Sequence, residues 1–314
     1  MVAPRDDTSI GMFLIMASAA AYSTAGLFTR LIALDTWTVL FWRGLFAGGF
    51  LAACIAWQYR GRVWATVRSI GWIGLLAAAC STAATICFIN ALRLSSVADV
   101  MVIGATAPFV TAALAWLWTG ERQRPATLVA SVAALAGVAL MFETRMPAGH
   151  MLGNMLALAM TVLLAAMMVI VRHKRDTPML PATCLSAFAV APAVLVIDSP
   201  SMPAGMDLVY LILFGTTQFG LGLLLLTLGT RLIAATRAAL ISALDTPLAP
   251  IWVWLAFGET PRLMTCIGGA VVMLAVIGDM LWSQQGGPIC RTKVRAMLSS
   301  CVGTVRPRSC SLRE

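Results

Sequence analysis

Ten stretches of this 314-residue chain are apolar and long enough to cross a bilayer, and they constrain its fold more than any motif does. About 20 residues of helix are needed to span roughly 30 Å of hydrocarbon. The predicted spans are residues 10–33, 37–57, 70–92, 97–118, 126–142, 151–171, 179–197, 207–228, 236–257 and 264–282. The sequence therefore predicts an all-α, polytopic membrane protein.

The composition agrees with this class, since 60% of the residues are hydrophobic, 11% are charged and the mean hydropathy is +0.88. A soluble domain of this length needs more charge to cover its surface. The net charge of +9 arises in short loops and in the tail, residues 283–314, so no nucleic-acid partner is expected. We expect the tail to be a disordered, basic, cytoplasmic extension that touches anionic lipid at most.

An internal duplication divides the ten spans into two repeats. Gly11–Arg30 recurs as Gly153–Arg172, which are 142 residues apart, so the first stretch is a retained span and not a cleaved signal peptide. Three further pairs of residues match between the copies. Arg93 and Arg231 are 138 residues apart, as are Glu121 and Glu259, and Pro108 and Pro247 are 139 apart. We assign residues 10–142 to the first five-span repeat and 151–282 to the second.

Lys and Arg in the short loops indicate the orientation. Ten of them fall on the side that holds the N-terminus and four on the other, and positive loops tend to stay in the cytoplasm. We therefore predict a protein of the inner membrane with residues 1–9 and the C-terminal tail in the cytoplasm. Because each repeat has five spans, the second repeat crosses the membrane inverted relative to the first.

Several short motifs resemble the ten-span, EamA-type members of the drug/metabolite transporter superfamily. They are Phe41-Trp42-Arg43 in the second span, Asn90-Ala91-Leu92-Arg93 at the end of the third, Pro108 in the fourth, and Gly120-Glu121 after it. The resemblance covers roughly residues 10–282 and is weaker in the second copy, where Asp245-Thr246-Pro247 displaces the proline by one position. It implies a multi-pass carrier of small metabolites, often amino acids or related compounds.

Charged side chains inside the spans are candidates for the transport pathway, because a charge at mid-membrane costs about 2.5–3.5 kcal/mol unless it faces a cavity or a partner. Asp245 lies about 12 Å below the inner surface. It would bind a proton or a substrate ammonium, or else cap backbone freed by nearby prolines, or pair with Arg237. Arg43, about 10 Å below the outer surface, would bind a substrate carboxylate or extend toward the headgroups.

Uncharged polar and aromatic side chains supply further candidates. Asn90 and Gln218 both donate and accept hydrogen bonds, which suits a zwitterionic or amide-bearing solute, although bonds between helices are the alternative. Tyr22 and Ser23 lie on the polar face of the first span. Trp42 would shape an apolar pocket or anchor the second span at the membrane interface.

Proline and glycine residues suggest where the helices bend and touch. Pro108 and Pro247 occupy the fourth span of each repeat, where a missing amide donor weakens the helix, and we predict that they act as hinges. Gly44 and Gly48 form a GxxxG pair that predicts a close contact between helices.

Neither catalytic residues nor a metal site is expected, since the sequence holds no CxxC pair and no clustered carboxylates or histidines. We expect a secondary transporter without a cofactor that works by alternating access, exports amino acids or related compounds, and uses protons as a coupling ion or none. It would act as a monomer or homodimer among membrane lipids. The alternatives are a uniport or exchange facilitator, a channel-like protein, and an intramembrane lipid-modifying enzyme.

Overall fold

The computed structural model describes residues 5–59, 71–95, 97–120, 123–142, 151–174, 179–197, 199–258 and 263–285. Within these ranges the chain forms helices and no strands. Nine of the segments described are long and apolar enough to cross a membrane, and a tenth, Pro125–Met141, is shorter but apolar. The prediction of an all-α, polytopic membrane protein with ten spans is confirmed.

The ten spans follow one another with short connections. Their helices are, in spans 1 to 5, Arg5–Ser23 with Ala25–Leu31, Thr36–Tyr59, Gly71–Leu94, Val97–Gly104 with Ala107–Thr119, and Pro125–Phe142. In spans 6 to 10 they are Met151–His173, Leu180–Ile197, Met206–Leu213 with the π-helix Phe214–Leu221 and Gly222–Leu232, Ala235–Ser242 with Asp245–Phe257, and Leu263–Gln285. Glu121, Glu259, the Arg93 side chain and the tail from residue 286 onward lie outside the described residues.

The duplication is visible in the shape of spans 4 and 9. Each is broken into a first half of eight residues and a second half of 13 residues. Each second half ends at a left-handed glycine, Gly120 with φ 67° and Gly258 with φ 70°. Glycine adopts this conformation without a steric penalty and so ends a helix sharply. The two copies of the sequence therefore fold into two copies of one broken helix.

The two repeats interleave as they pack. Span 3 packs against span 6 as span 1 packs against span 8, and spans 2 and 7, 4 and 9, and 5 and 10 form pairs of equivalent helices. This pattern is the one expected of inverted repeats related by a pseudo-twofold axis in the membrane plane.

Glycines bring the paired spans into close contact. A Cβ on Gly44 would lie 2.9 Å from the carbonyl oxygen of Ala187, and one on Gly48 would lie 2.7 Å from a phenylalanine ring of span 7. The predicted close contact at this GxxxG pair is confirmed. Spans 5 and 10 also approach closely, since a Cβ on Gly137 would lie 2.7 Å from the carbonyl oxygen of Gly268.

Polar contacts join span ends that the predicted topology places on the same side of the membrane. We call the side that holds the N-terminus the N-face and the other side the far face. Arg172 Nη1 donates to the carbonyl of Arg231 at 2.8 Å, which links the N-face ends of spans 6 and 8. The Ser201 amide donates to the Thr38 hydroxyl at 3.0 Å, which links span 2 to the loop after span 7 at the far face.

Asp35 caps span 2 at the far face. Its Oδ2 accepts from the Thr38 amide at 2.9 Å, which satisfies one of the amides left free at a helix start. This bond lowers the pKa of the Asp35 carboxyl. Since the folded pKa is lowered, the cap stabilises the protein above the ordinary carboxyl pKa and ceases to do so as pH falls through the lowered value.

Replacing Gly137 with alanine tests the contact between spans 5 and 10. The added Cβ must push the two backbones apart, and we expect such overpacking to lower the free energy of unfolding by about 1–3 kcal/mol. The measurement is the apparent melting temperature of the purified protein in detergent. Gly49→Ala is the matched control, because no atom lies within 4 Å of a Cβ added there. Equal melting temperatures for the two variants would contradict the close approach.

Candidate functional site

Spans 1, 4 and 9 are each interrupted inside the membrane, at residue 24, residues 105–106 and residues 243–244. Hydroxyl groups add hydrogen bonds to carbonyls beside two of these breaks, and two of these carbonyls also accept a backbone amide. Ser23 and Thr24 each donate to the carbonyl three residues earlier at 2.7 Å, and Thr106 does the same at 2.6 Å. Because hydrocarbon offers no water, such side-chain bonds stabilise irregular backbone at this depth.

The two predicted hinge prolines lie directly after the breaks in spans 4 and 9. Pro108 is the second residue of Ala107–Thr119, and Pro247 is the third residue of Asp245–Phe257. A proline in the first turn of a helix removes an amide that would have no partner in any case. The structure therefore places both prolines beside a discontinuity, and the hinge motion itself stays a prediction.

Span 8 contains a π-helix, Phe214–Leu221, that the sequence analysis did not predict. Two glycines let it lie directly on span 2. A Cβ on Gly215 would be 2.9 Å from the carbonyl oxygen of Arg43, and one on Gly220 would be 2.9 Å from a phenylalanine ring of span 2. Gln218 lies within the wide turn between these glycines, and π turns occur frequently at functional sites.

Arg43 lies inside the bundle against this π-helix. Its guanidinium carbon is 4.5 Å from the centre of the Phe219 ring and 5.3 Å from that of Phe214, and the residue is 9% exposed. A desolvated cation on aromatic faces gains about 2 kcal/mol. The Nε atom is buried without a hydrogen-bond partner, and no carboxylate of the described residues pairs with it. The guanidinium therefore keeps an unused donor.

Gln218 and Tyr22 connect this arginine to span 9. Gln218 Nε2 donates to the carbonyl of Tyr22 at 3.5 Å, while its Oε1 is buried without a partner. The Tyr22 ring packs on Gly222, and the side chain lies within electrostatic range of both Arg43 and Asp245. Tyr22 thus links Arg43 and Gln218 to Asp245, and we call Tyr22, Arg43, Gln218 and Asp245, from spans 1, 2, 8 and 9, the polar cluster.

Asp245 is the first residue after the break in span 9. Amides at a helix start and the helix dipole stabilise a negative charge there. Its Oδ1 accepts from the Thr246 hydroxyl at 3.1 Å. The alternative in which Asp245 pairs with Arg237 is wrong, because the Arg237 side chain binds Asp279.

Ser23 and Trp42 border the polar cluster. Ser23 Oγ accepts from Trp252 Nε1 at 2.8 Å, which ties the break in span 1 to span 9. Trp42 Nε1 donates to the carbonyl of Ser201 at 3.0 Å and packs in the apolar cluster around Phe214. Trp42 therefore anchors the far-face end of span 2 and lies on the far-face side of Arg43.

Asn90 is not brought into the polar cluster by any described contact. Its Nδ2 donates to the carbonyl of Ile86, one turn earlier in span 3, at 2.8 Å. This bond lies within its own helix, so the structure gives Asn90 a local role.

Two further carboxylates that the sequence analysis did not single out are buried. Asp99 is 1% exposed and Asp279 is 4% exposed. Asp99 accepts from Ser95 Oγ at 3.3 Å, and Asp279 pairs with Arg237 Nε at 3.0 Å. Charged residues near span ends give no signal in a sequence, since most residues there face water or headgroups.

Ten apolar spans with breaks around a buried polar cluster define a multi-pass membrane transport protein. Comparison with known families agrees, because the EamA-like transporter family profile matches residues 9–143 and again residues 151–279. The chain belongs to the EamA-like transporter family, whose members are membrane transporters of small solutes. The predicted resemblance is confirmed.

Comparison with solved structures shows the same fold. One crystal structure matches with a TM-score of 0.76 at 19% sequence identity, over 89% of this chain and 99% of its own. No curated protein matches the chain significantly.

A double-mutant cycle tests the ring contact of Arg43. Arg43→Met and Phe219→Leu remove the same interaction, so their effects on the free energy of unfolding should fail to add by about 0.5–2 kcal/mol. Unfolding of the purified protein in a denaturing detergent titration measures each value. Phe50→Leu is the control, since that ring faces Gly220, and its effect should add to that of Arg43→Met. Additive effects of Arg43→Met and Phe219→Leu would contradict the contact.

Proposed function

We propose that this protein is a secondary transporter that exports amino acids or related small metabolites across the inner membrane by alternating access, with both termini in the cytoplasm. One observation carries the proposal. Arg43 is buried between two rings with an unused donor, and it lies in the same cluster as the carboxylate of Asp245. A solute that carries opposite charges at its two ends would satisfy both groups.

The polar cluster offers complementary partners for such a solute. The planar guanidinium of Arg43 suits a carboxylate, to which it donates directed bonds. The unpartnered Oε1 of Gln218 accepts a hydrogen bond from an ammonium or amide group. Asp245 balances a positive charge, and the Tyr22 hydroxyl both donates and accepts. Buried polar atoms normally have partners, so a bound solute would supply the missing ones.

Competition at Asp245 would couple export of the solute to entry of a proton. A carboxylate binds either a proton or the ammonium of the solute, because protonation removes the charge that attracts the ammonium. A proton arriving from outside would therefore release the solute there, and solute arriving from the cytoplasm would release the proton. The breaks next to Pro108 and Pro247 provide the places where the repeats would bend as the site alternates between the two faces.

Arg43→Gln tests the binding role. In proteoliposomes supplied with a panel of labelled amino acids and nucleosides, the unmodified protein should show saturable transport. The variant should raise KM by about tenfold or more, since a charged hydrogen bond is worth about 1.5–3 kcal/mol. Arg30→Gln is the matched control, because Arg30 lies at the exposed far-face end of span 1 and should leave KM unchanged. An unchanged KM for Arg43→Gln would remove Arg43 from the site.

Asp245→Asn tests the coupling. The amide cannot exchange a proton, so we expect the variant to lose accumulation driven by a pH gradient while it retains solute exchange. Parallel measurements of gradient-driven uptake and of counterflow separate the two activities. Full transport with the same gradient dependence would contradict the role of Asp245. Equilibration by the unmodified protein without any response to the gradient would indicate a facilitator.

A further inference from the structure

A second group of buried charges lies at the N-face, apart from the polar cluster. Arg237 Nε of span 9 donates to Asp279 Oδ2 of span 10 at 3.0 Å, and their side chains are 12% and 1% exposed. Thr127 Oγ1 of span 5 donates to the other carboxylate oxygen at 2.7 Å. Both oxygens of Asp279 are thus engaged, and three spans are tied together at one point.

This ion pair fixes the free end of the first half of span 9. Ten residues separate Arg237 from Pro247, and ten separate Gly269 from Asp279, so spans 9 and 10 run in antiparallel register. A Cβ on Gly269 would lie 3.2 Å from Pro247, which marks the contact at the break. The segment between these points, which includes the break at residues 243–244, extends about 15 Å. Span 10 therefore meets it near its hinge and again at its N-face end.

Backbone packing gives this half-helix other neighbours. It packs more closely on spans 1, 4 and 6 than on span 10. The side-chain pair Arg237–Asp279 is thus the contact that fixes its end against span 10. A rotation of the half-helix about the break would separate Arg237 from Asp279. The backbones of spans 9 and 10 are not tightly packed there, so they would not have to be separated first.

The first repeat differs at the equivalent place. Asp99 stands 138 residues before Arg237 as the third residue of its own half-helix, and apolar Met141 stands 138 residues before Asp279. At the position equivalent to Asp279, span 5 therefore carries an apolar side chain in place of a carboxylate. The two repeats therefore differ in chemistry at this place.

We propose that the Arg237–Asp279 ion pair is a latch that closes the N-face during transport. It holds the first half of span 9 against spans 5 and 10 while the polar cluster is shut off from the N-face, and it opens when the half-helix swings about the break at Pro247. Asp279 is a positioning residue in this cycle and does not touch the solute. The inference rests on the proposed alternating-access function.

A buried ion pair is suited to such a role. Taking both charges out of water nearly cancels their attraction, so the closed latch is not far below an open state in which water reaches both groups. Removing one partner has a different effect, since it leaves the other charge buried alone. A single substitution should therefore displace the balance toward the open state.

Thiol labelling of Thr236→Cys reports the opening. Thr236 is 0% exposed, adjoins Arg237, and its hydroxyl has no described hydrogen-bond partner. In a background with the other cysteines replaced, a membrane-impermeant maleimide added at the N-face should label it slowly. Asp279→Asn should raise the labelling rate about tenfold or more, and the exchange Arg237→Asp with Asp279→Arg should lower it again.

A variant with a smaller effect and a matched control distinguish opening of the latch from misfolding. Thr127→Val removes one hydrogen bond to Asp279 and leaves the ion pair, so labelling should rise about threefold. Thr161→Val is the control, because that buried hydroxyl donates within its own helix at 2.9 Å and should leave the rate unchanged. Unchanged labelling in monodisperse Thr127→Val and Asp279→Asn proteins, or faster labelling from the far face alone, would overturn the latch.

The labelling result is separable from the proposed function. It reports the position of span 9 and requires no solute. Altered labelling together with no flux of any amino acid would uphold the latch and reject the cargo. Saturable flux of an amino acid together with unaltered labelling would uphold the cargo and reject the latch.

Discussion

The absence of water in the bilayer is the constraint on which the rest of the structure depends. Every carbonyl freed by a break must find a donor within the protein. Beside the breaks in spans 1 and 4, the hydroxyls of Ser23, Thr24 and Thr106 add hydrogen bonds to carbonyls one turn earlier. Spans 1 and 4 can therefore be interrupted inside the membrane, and the break in span 9 brings a helix start to Asp245. Polar groups therefore line the breaks in the spans even without a bound solute.

The polar cluster uses one of two equivalent places in the fold. Three of its four residues lie in spans 1, 2 and 8, and the equivalent spans of the other repeat are spans 6, 7 and 3. Small and apolar side chains predominate around a crevice there, namely Ala77, Ala78, Ser81, Met167, Val171, Met179, Ala182, Thr183 and Ser186. Cys80 stands 138 residues before Gln218, and Leu185 stands 142 residues after Arg43. The two repeats share one architecture but differ in sequence. One of the two equivalent places therefore holds the polar cluster, and the other is filled mainly by small and apolar side chains.

The spans and their duplication were predictable from sequence because hydrophobicity and spacing are properties of one segment at a time. The polar candidates were predictable as separate residues, while their grouping depends on which helix faces meet, so the sequence did not show that Asn90 would bond within its own helix. The π-helix was not predictable, since its glycines act through the neighbouring span 2. The Arg237–Asp279 pair was missed for a related reason, because only the packing of spans 9 and 10 brings the two residues together.

Arg43 and Arg237 differ in what neutralises their charges, and this difference separates their roles. The charge of Arg237 is matched by Asp279 at 3.0 Å, so that group is satisfied without a ligand and suits a structural contact. The charge of Arg43 rests on ring faces that stabilise it partly, with one donor unused. An anionic group gains little from an arginine already paired and much from one that is not. The partner of each guanidinium, more than its depth in the membrane, therefore favours Arg43 over Arg237 as the proposed contact for the solute.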